Sequence, residues 1–181
     1  MKFLKYALLA STLIFASCSD DDDNTPDAVN EEEVITTLRV TLESGSDTVV
    51  MQYQDLDGDG PDAATVTVSG SLNANTTYDG SIVLLNETED PAENITEEIE
   101  EEDLDHQFFY TVGSGLDVAA EYGDADSEGN PLGLSFTLNT GVASSGGLTF
   151  TLRHEPNKPN TGLENAGGET DIEVTFDVTV E

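Results

Sequence analysis

The sequence predicts an all-β fold in which two antiparallel sheets pack face to face. Two features of the 181 residues carry that expectation. Apolar side chains recur at alternate positions in short runs rich in Val, Thr, Ile, Phe and Tyr, and clusters of Gly, Asn, Asp and Pro separate the runs. One apolar side chain every second residue is the period of a pleated strand with one buried and one wet face. A closed barrel satisfies the same pattern and stands as the alternative architecture.

A segment of a different kind precedes the strands. Lys2 and Lys5 lead into a mostly apolar stretch from Tyr6 to Ala16. It is shorter than the ~20 apolar residues a membrane helix needs and suits a signal-peptide core. Ala16 and Ser17 then precede Cys18, the single cysteine, and Ser19-Asp20-Asp21-Asp22-Asp23 follow. This looks like a bacterial lipoprotein signal, with Phe15 where leucine is usual; the thiol of Cys18 would take a diacylglyceryl group before cleavage, and Cys18 would become the new N-terminus. The expected organisation is a removed signal at 1–17, a lipidated acidic tether at 18–30, and one domain at 31–181, a length of about 150 residues that fits a single core. A single cysteine makes no internal disulfide, so packing alone must hold that domain together.

The strands follow in order. Val34 to Leu42 places Val34, Thr36, Leu38, Val40 and Leu42 on one face, Glu43-Ser44-Gly45-Ser46 supplies a turn, and Thr48 to Tyr53 returns. Further strands are expected at Ala64 to Ser69, Thr76 to Asn86, His106 to Val112, Leu116 to Tyr122, Leu132 to Asn139, Leu148 to His154 and Asp171 to Val180. In the last, Ile172, Val174, Phe176, Val178 and Val180 point one way and Asp171, Glu173, Thr175, Asp177 and Thr179 the other. Nine short strands at this spacing describe a sandwich of immunoglobulin-like or transthyretin-like architecture. One segment breaks the pattern. Asp90 suits a helix cap, Pro91 the first helical position and Glu93 a capping box, and Ala92, Ile95 and Ile99 share a side, so a short acidic helix running to near Glu102 is expected.

Charge limits the partners. After the leader, Arg39, Arg153 and Lys158 are the remaining Lys and Arg residues, against 38 acidic residues. Such a polyanion repels a phosphate backbone, so nucleic acid is excluded as a partner. Anionic headgroups would repel it too, leaving the acyl chains on Cys18 as the membrane hold. The field favours cations and basic surfaces.

Two acidic loops are candidates for calcium. Asp55-Leu56-Asp57-Gly58-Asp59-Gly60 matches the opening of a calcium loop, with oxygen ligands at alternate positions and a glycine at the sharp turn. Its twelfth position is Val66 instead of glutamate, and Asp62 could substitute only with a different geometry. Asp124, Asp126 and Glu128, followed by Gly129-Asn130, repeat the opening, with Ser135 at the twelfth position. Each loop reads either as a strand-connecting turn or as a weak site for calcium, with magnesium able to occupy the same carboxylates through water.

The mature chain has two histidines. His106 opens a strand after Asp103 and Asp105, and His154 closes one beside Glu155. Were the fold to bring them together, two imidazoles with Asp103, Asp105 or Glu155 would suit zinc, copper or ferrous iron. The alternative is a pair of strand-end histidines hydrogen-bonded to neighbouring carboxylates. No cofactor is required by any other feature.

An enzyme is not expected. No glycine-rich phosphate loop precedes a helix, the cysteine is committed to lipid, and Ser144-Ser145-Gly146-Gly147 reads as a turn without a nucleophile elbow. Carboxylate pairs are too abundant here to mark a glycosidase, and the chain has no Trp.

The stretches Asn30 to Thr37, Glu98 to Tyr110, Arg153 to Lys158 and Gly168 to Val174 together resemble a family of small bacterial lipoproteins often labelled as having a type 1 periplasmic-binding fold. That resemblance implies lipidation, export across the outer membrane on the acidic tag, and a place beside an outer-membrane receptor or transporter. It carries no catalytic residues. The chain is therefore expected to be a cell-surface lipoprotein, with retention on the periplasmic face as the alternative, capturing a cation or metal-containing ligand for a transporter, or else a structural or adhesive module whose loops calcium stiffens.

Overall fold

The computed structural model describes residues 33–58 and 60–181; the leader, Cys18 and the tether, together with Asp59, lie outside the described residues. Nine strands form among them: β1 (Thr37–Ser44), β2 (Asp47–Gln54), β3 (Thr65–Val68), β4 (Thr77–Leu85), β5 (His106–Val112), β6 (Val118–Tyr122), β7 (Ser135–Thr140), β8 (Ser144–His154) and β9 (Glu169–Val180). Two short helices join them, α1 (Ile95–Glu101) and α2 (Leu163–Ala166).

Alternation decides which face each strand buries. In β1, Leu38, Val40 and Leu42 are fully buried; in β9, Ile172, Val174, Phe176, Val178 and Val180 are buried while Glu173, Thr175, Asp177 and Thr179 stay exposed. The apolar faces assemble two antiparallel sheets, one ordered β3-β2-β1-β4-β7-β6 and one ordered β5-β8-β9. Aromatic rings tie them together. Phe136 of the larger sheet lies 4.8 Å from Tyr110 and 5.7 Å from Phe150 of the smaller, and Phe150 lies 6.0 Å from Phe176. Large rings bury much apolar area, and these tilted and edge-on geometries are the favoured ones. The architecture is the expected sandwich. Both sheets are antiparallel throughout, unlike the two-lobed α/β fold after which the resembling lipoproteins are labelled.

Three local expectations need correction. β1 starts at Thr37 instead of Val34, because its neighbour β4 ends at Leu85, opposite Thr37, and Val34 is left 57% exposed. The Ser144–Gly147 stretch is not a turn but the start of β8, paired with Val180 through Asp177. Its glycines allow a close approach, since a Cβ on Gly146 would lie 3.0 Å from Leu116 Cβ and 3.1 Å from the Ser114 carbonyl. The helix begins at Ile95, after Asn94 and not Asp90. Asn86 and Glu93 exchange backbone hydrogen bonds, so the chain between them is committed to a turn and Pro91 precedes the helix. Ile95 and Ile99 face the core as expected; Ala92 is exposed.

Candidate metal centre

Three strand ends meet at one edge of the smaller sheet. His106 is the first residue of β5, His154 the last of β8, and antiparallel pairing sets them directly opposite each other. Both continue the inward-facing rows of their strands, after Phe108 and Leu152, and both are buried. Their rings are 4.8 Å apart, centroid to centroid. Asp171, near the start of β9, completes the group. The register of β8 and β9 shifts here: Leu152 pairs with Ile172 but Arg153 with Thr170, so Asp171 is the extra residue of a β-bulge. Bulges re-aim side chains. Alternation alone puts Asp171 on the wet face, yet its carboxylate lies 3.9 Å from His106 Nε2 and 3.7 Å from His154 Nδ1, with no side-chain exposure.

The tautomer of His106 follows from its hydrogen bond. Nδ1 lies 3.1 Å from the carbonyl of Glu102, at the end of α1, and a carbonyl only accepts, so Nδ1 carries the proton. Burial, the dominant cause, holds the imidazole below its ordinary pKa, with nearby His154 adding to the effect against the Glu102 carbonyl and acidic neighbours. The neutral ring therefore aims the lone pair of Nε2 at the carboxylate. Nε2 is fully buried and makes no hydrogen bond among the described residues. A cation placed between that nitrogen and the carboxylate would be held by both in this low-dielectric interior. A backbone carbonyl fixing one ring nitrogen while the other points into a cluster is the way histidine metal ligands are commonly oriented. The donor atoms of His106, His154 and Asp171 all lie within 4.8 Å of one another.

The remaining expected ligands are elsewhere. Asp103 accepts hydrogen bonds from the Ser127 backbone N–H and hydroxyl, Asp105 and Glu155 are exposed, and none of the three belongs to the group. Asp171 was not among the expected ligands. Its only signal in the sequence is position, since it starts a strand as His106 does.

The acidic loops are built as turns. Asp55 Oδ1 accepts from the backbone N–H groups of Asp57 and Gly58, its Oδ2 accepts from the Tyr53 hydroxyl, and Asp57 Oδ2 accepts from the Asp62 N–H. In the second loop Asp124 accepts from the N–H groups of Gly133 and Ser135, and Asp126 from those of Glu128 and Asn130; Glu128 is exposed. Asp126 Oδ2 also receives Lys158 Nζ at 3.0 Å, while the same ammonium donates to the carbonyls of Asp103 and His106. Lys158 thus locks the His106 backbone to the second acidic loop.

Beside the centre, the outer face of β5 carries a cleft of about 580 Å³ between Phe109, Tyr122 and the Thr161–Asn165 segment. Burial raises the pKa of both tyrosines at its back, Tyr110 and Tyr122, with each other's charge and that of Asp124 adding to it for Tyr110. They donate to the carbonyls of Gly133 and Phe108. Gly133 has φ +94°, and a Cβ there would lie 2.8 Å from Phe108 Cβ and 2.9 Å from the Tyr110 oxygen, so glycine is required.

Fold and site together define an antiparallel β-sandwich with a buried two-histidine, one-aspartate cluster. No family model, curated protein or solved structure matches the chain.

Proposed function

We propose that this chain is a non-enzymatic, lipid-anchored module of the outer membrane, facing the cell exterior beside a receptor or transporter, that holds a divalent transition-metal ion at His106, His154 and Asp171. The observation that carries the metal half is the fully buried Nε2 of His106, oriented by the Glu102 carbonyl and aimed at the Asp171 carboxylate. Two imidazole nitrogens and one carboxylate suit zinc or copper and are a poor match for calcium, which takes about 6–8 oxygens. The anchor half is supported by the sequence around Cys18, and the acidic chain supplies a field that draws cations in.

The test is a thermal melt of the chelator-stripped protein given zinc, copper, calcium or magnesium in turn. An ion present at 100 times its Kd stabilises the native state by about 2.7 kcal/mol. For a domain of this size that corresponds to a rise of roughly 5–11 °C. The rise is expected with zinc or copper and is absent from His106→Ala. A rise with calcium alone would move the site to the Asp55–Asp62 loop, and no rise with any ion would remove the reading.

A further inference from the structure

Resting on that reading, we propose that the ion is a resident staple of the fold and not a cargo: one ion of the zinc class, held by all three strands of the smaller sheet, closes the segment Glu155–Thr170 at its base. Each strand contributes one ligand, His106 from β5, His154 from β8 and Asp171 from β9. The second and third of these flank the segment on either side. An ion bound to both joins its two ends covalently in effect, and its bond to His106 fastens them to β5.

Burial separates a staple from a cargo. The side chains of His106 and Asp171 have no solvent exposure and that of His154 has 8%. Catalytic zinc sites pair three protein ligands with an open fourth position, whereas structural ones are closed; the three side chains here leave a fourth position for a water sealed in with the ion, and it is their burial that closes the site. An ion here leaves only after the end of the β8–β9 pair opens. Tetrahedral bonds of about 2.0–2.2 Å set ligand atoms roughly 3.3–3.5 Å apart; the carboxylate stands at 3.9 and 3.7 Å from the two nitrogens through different oxygens, and the three ligand atoms lie within 4.8 Å of one another, so small side-chain rotations must draw them in around the ion.

The segment so closed already leans on the sheet from several points. Asn160 Nδ2 donates to Gln107 Oε1 and the Arg153 guanidinium donates to the carbonyls of Gly167 and Gly168, while Asn157 Nδ2 donates to the Ala166 carbonyl within the segment itself. Its middle, Thr161–Asn165, forms one wall of the cleft over Phe109 and Tyr122. Loss of the ion therefore loosens that wall while the larger sheet, which contributes no ligand, is untouched.

Hydrogen–deuterium exchange of the purified chain, stripped with chelator and then reloaded with zinc, tests this. Zinc is expected to slow exchange on the order of tenfold across Glu155–Thr170 and the adjoining strand ends, and to leave β1–β4 unchanged. Release of the bound zinc into excess EDTA is expected to take minutes or longer. If zinc raises the melting temperature but the segment exchanges as before, or if EDTA removes the ion within mixing time, the staple is refuted and the metal-binding reading survives. If zinc neither binds nor raises the melt, that reading falls and the staple with it. Asp171→Asn, which keeps the side-chain shape without the charge, is expected to retain the exchange pattern of the stripped protein and lose the zinc-dependent slowing; retention of the slowing overturns the proposal.

Discussion

Replacing Lys158 by methionine is expected to be among the most damaging single changes outside the apolar core. The ammonium side chain is 6% exposed, and it serves three acceptors: Asp126 Oδ2 and the carbonyls of Asp103 and His106. Methionine fills the space but leaves a buried carboxylate and two carbonyls against an apolar chain. Removing one partner of a buried pair costs about 3–5 kcal/mol. At about 2–4 °C per kcal/mol for a domain of this size, the melting temperature at pH 7 falls by roughly 6–20 °C. The loss is also pH-dependent in a defined direction. Burial pushes the Asp126 carboxyl up, but the Asn130 N–H and side chain and the Lys158 ammonium outweigh it and hold the carboxyl below its ordinary range. A carboxylate depressed in the folded state contributes stability above its unfolded value and loses it as pH falls through its folded one. The gap between parent and Lys158→Met therefore narrows as the protein is taken from pH 7 towards pH 2. Urea melts followed by circular dichroism, with Lys158→Met/Asp126→Asn as the double variant, measure it. A loss below about 1 kcal/mol, the range of an exposed pair, or a gap that is the same at both ends of the pH range, would refute the reasoning.

Other changes have equally definite expectations. Gly80→Ala places a Cβ 2.4 Å from the Phe136 ring and should cost about 1–3 kcal/mol by overpacking, read from the urea midpoint. Glu98 is raised to about 7, first by its hydrogen bond with the Glu33 carboxyl, then by burial and by repulsion from Glu33 and Glu93. The native state then holds protons that the unfolded chain has released, so this group's stability contribution is present at acid pH and is lost as pH rises from the ordinary 4.5 to about 7. Glu98→Gln should gain on the parent at pH 8 relative to pH 4, and an equal difference at both would count against it. Cys18→Ala should abolish incorporation of a labelled fatty acid and release the protein from membranes, and a membrane-bound variant would contradict the anchor.

The strands were legible because each buries one face, so the pattern along β9 or β1 reports burial directly. Their ends were less so. Where β1 begins depends on how far β4 extends beside it, and the start of β8 depends on Ser114 and Leu116 packing over glycines that look like turn formers in isolation. The site shows the same division. His106 and His154 were visible as metal-ligand types, but their pairing crosses two intervening strands of the other sheet, and no local pattern reports that register. Asp171 was hidden for a sharper reason. It obeys the alternation that assigns it to solvent, and only a one-residue bulge, invisible in periodicity, turns it inward.

The composition of the smaller sheet bears on how the chain folds. β1, β2 and β3 pair with sequence neighbours and β4 returns to β1, all as they emerge during synthesis, but β5 has no sheet partner until β8 is made, and β8 completes its sheet only with β9. Until then the apolar face of the larger sheet has nothing to cover it. Topologies that depend on such distant pairings close slowly and leave sticky surface exposed meanwhile. The sandwich should therefore close late, and a chain stopped before residue 169 could pair β5 with β8 but would lack β9, and with it both Asp171 and the third strand of the second layer.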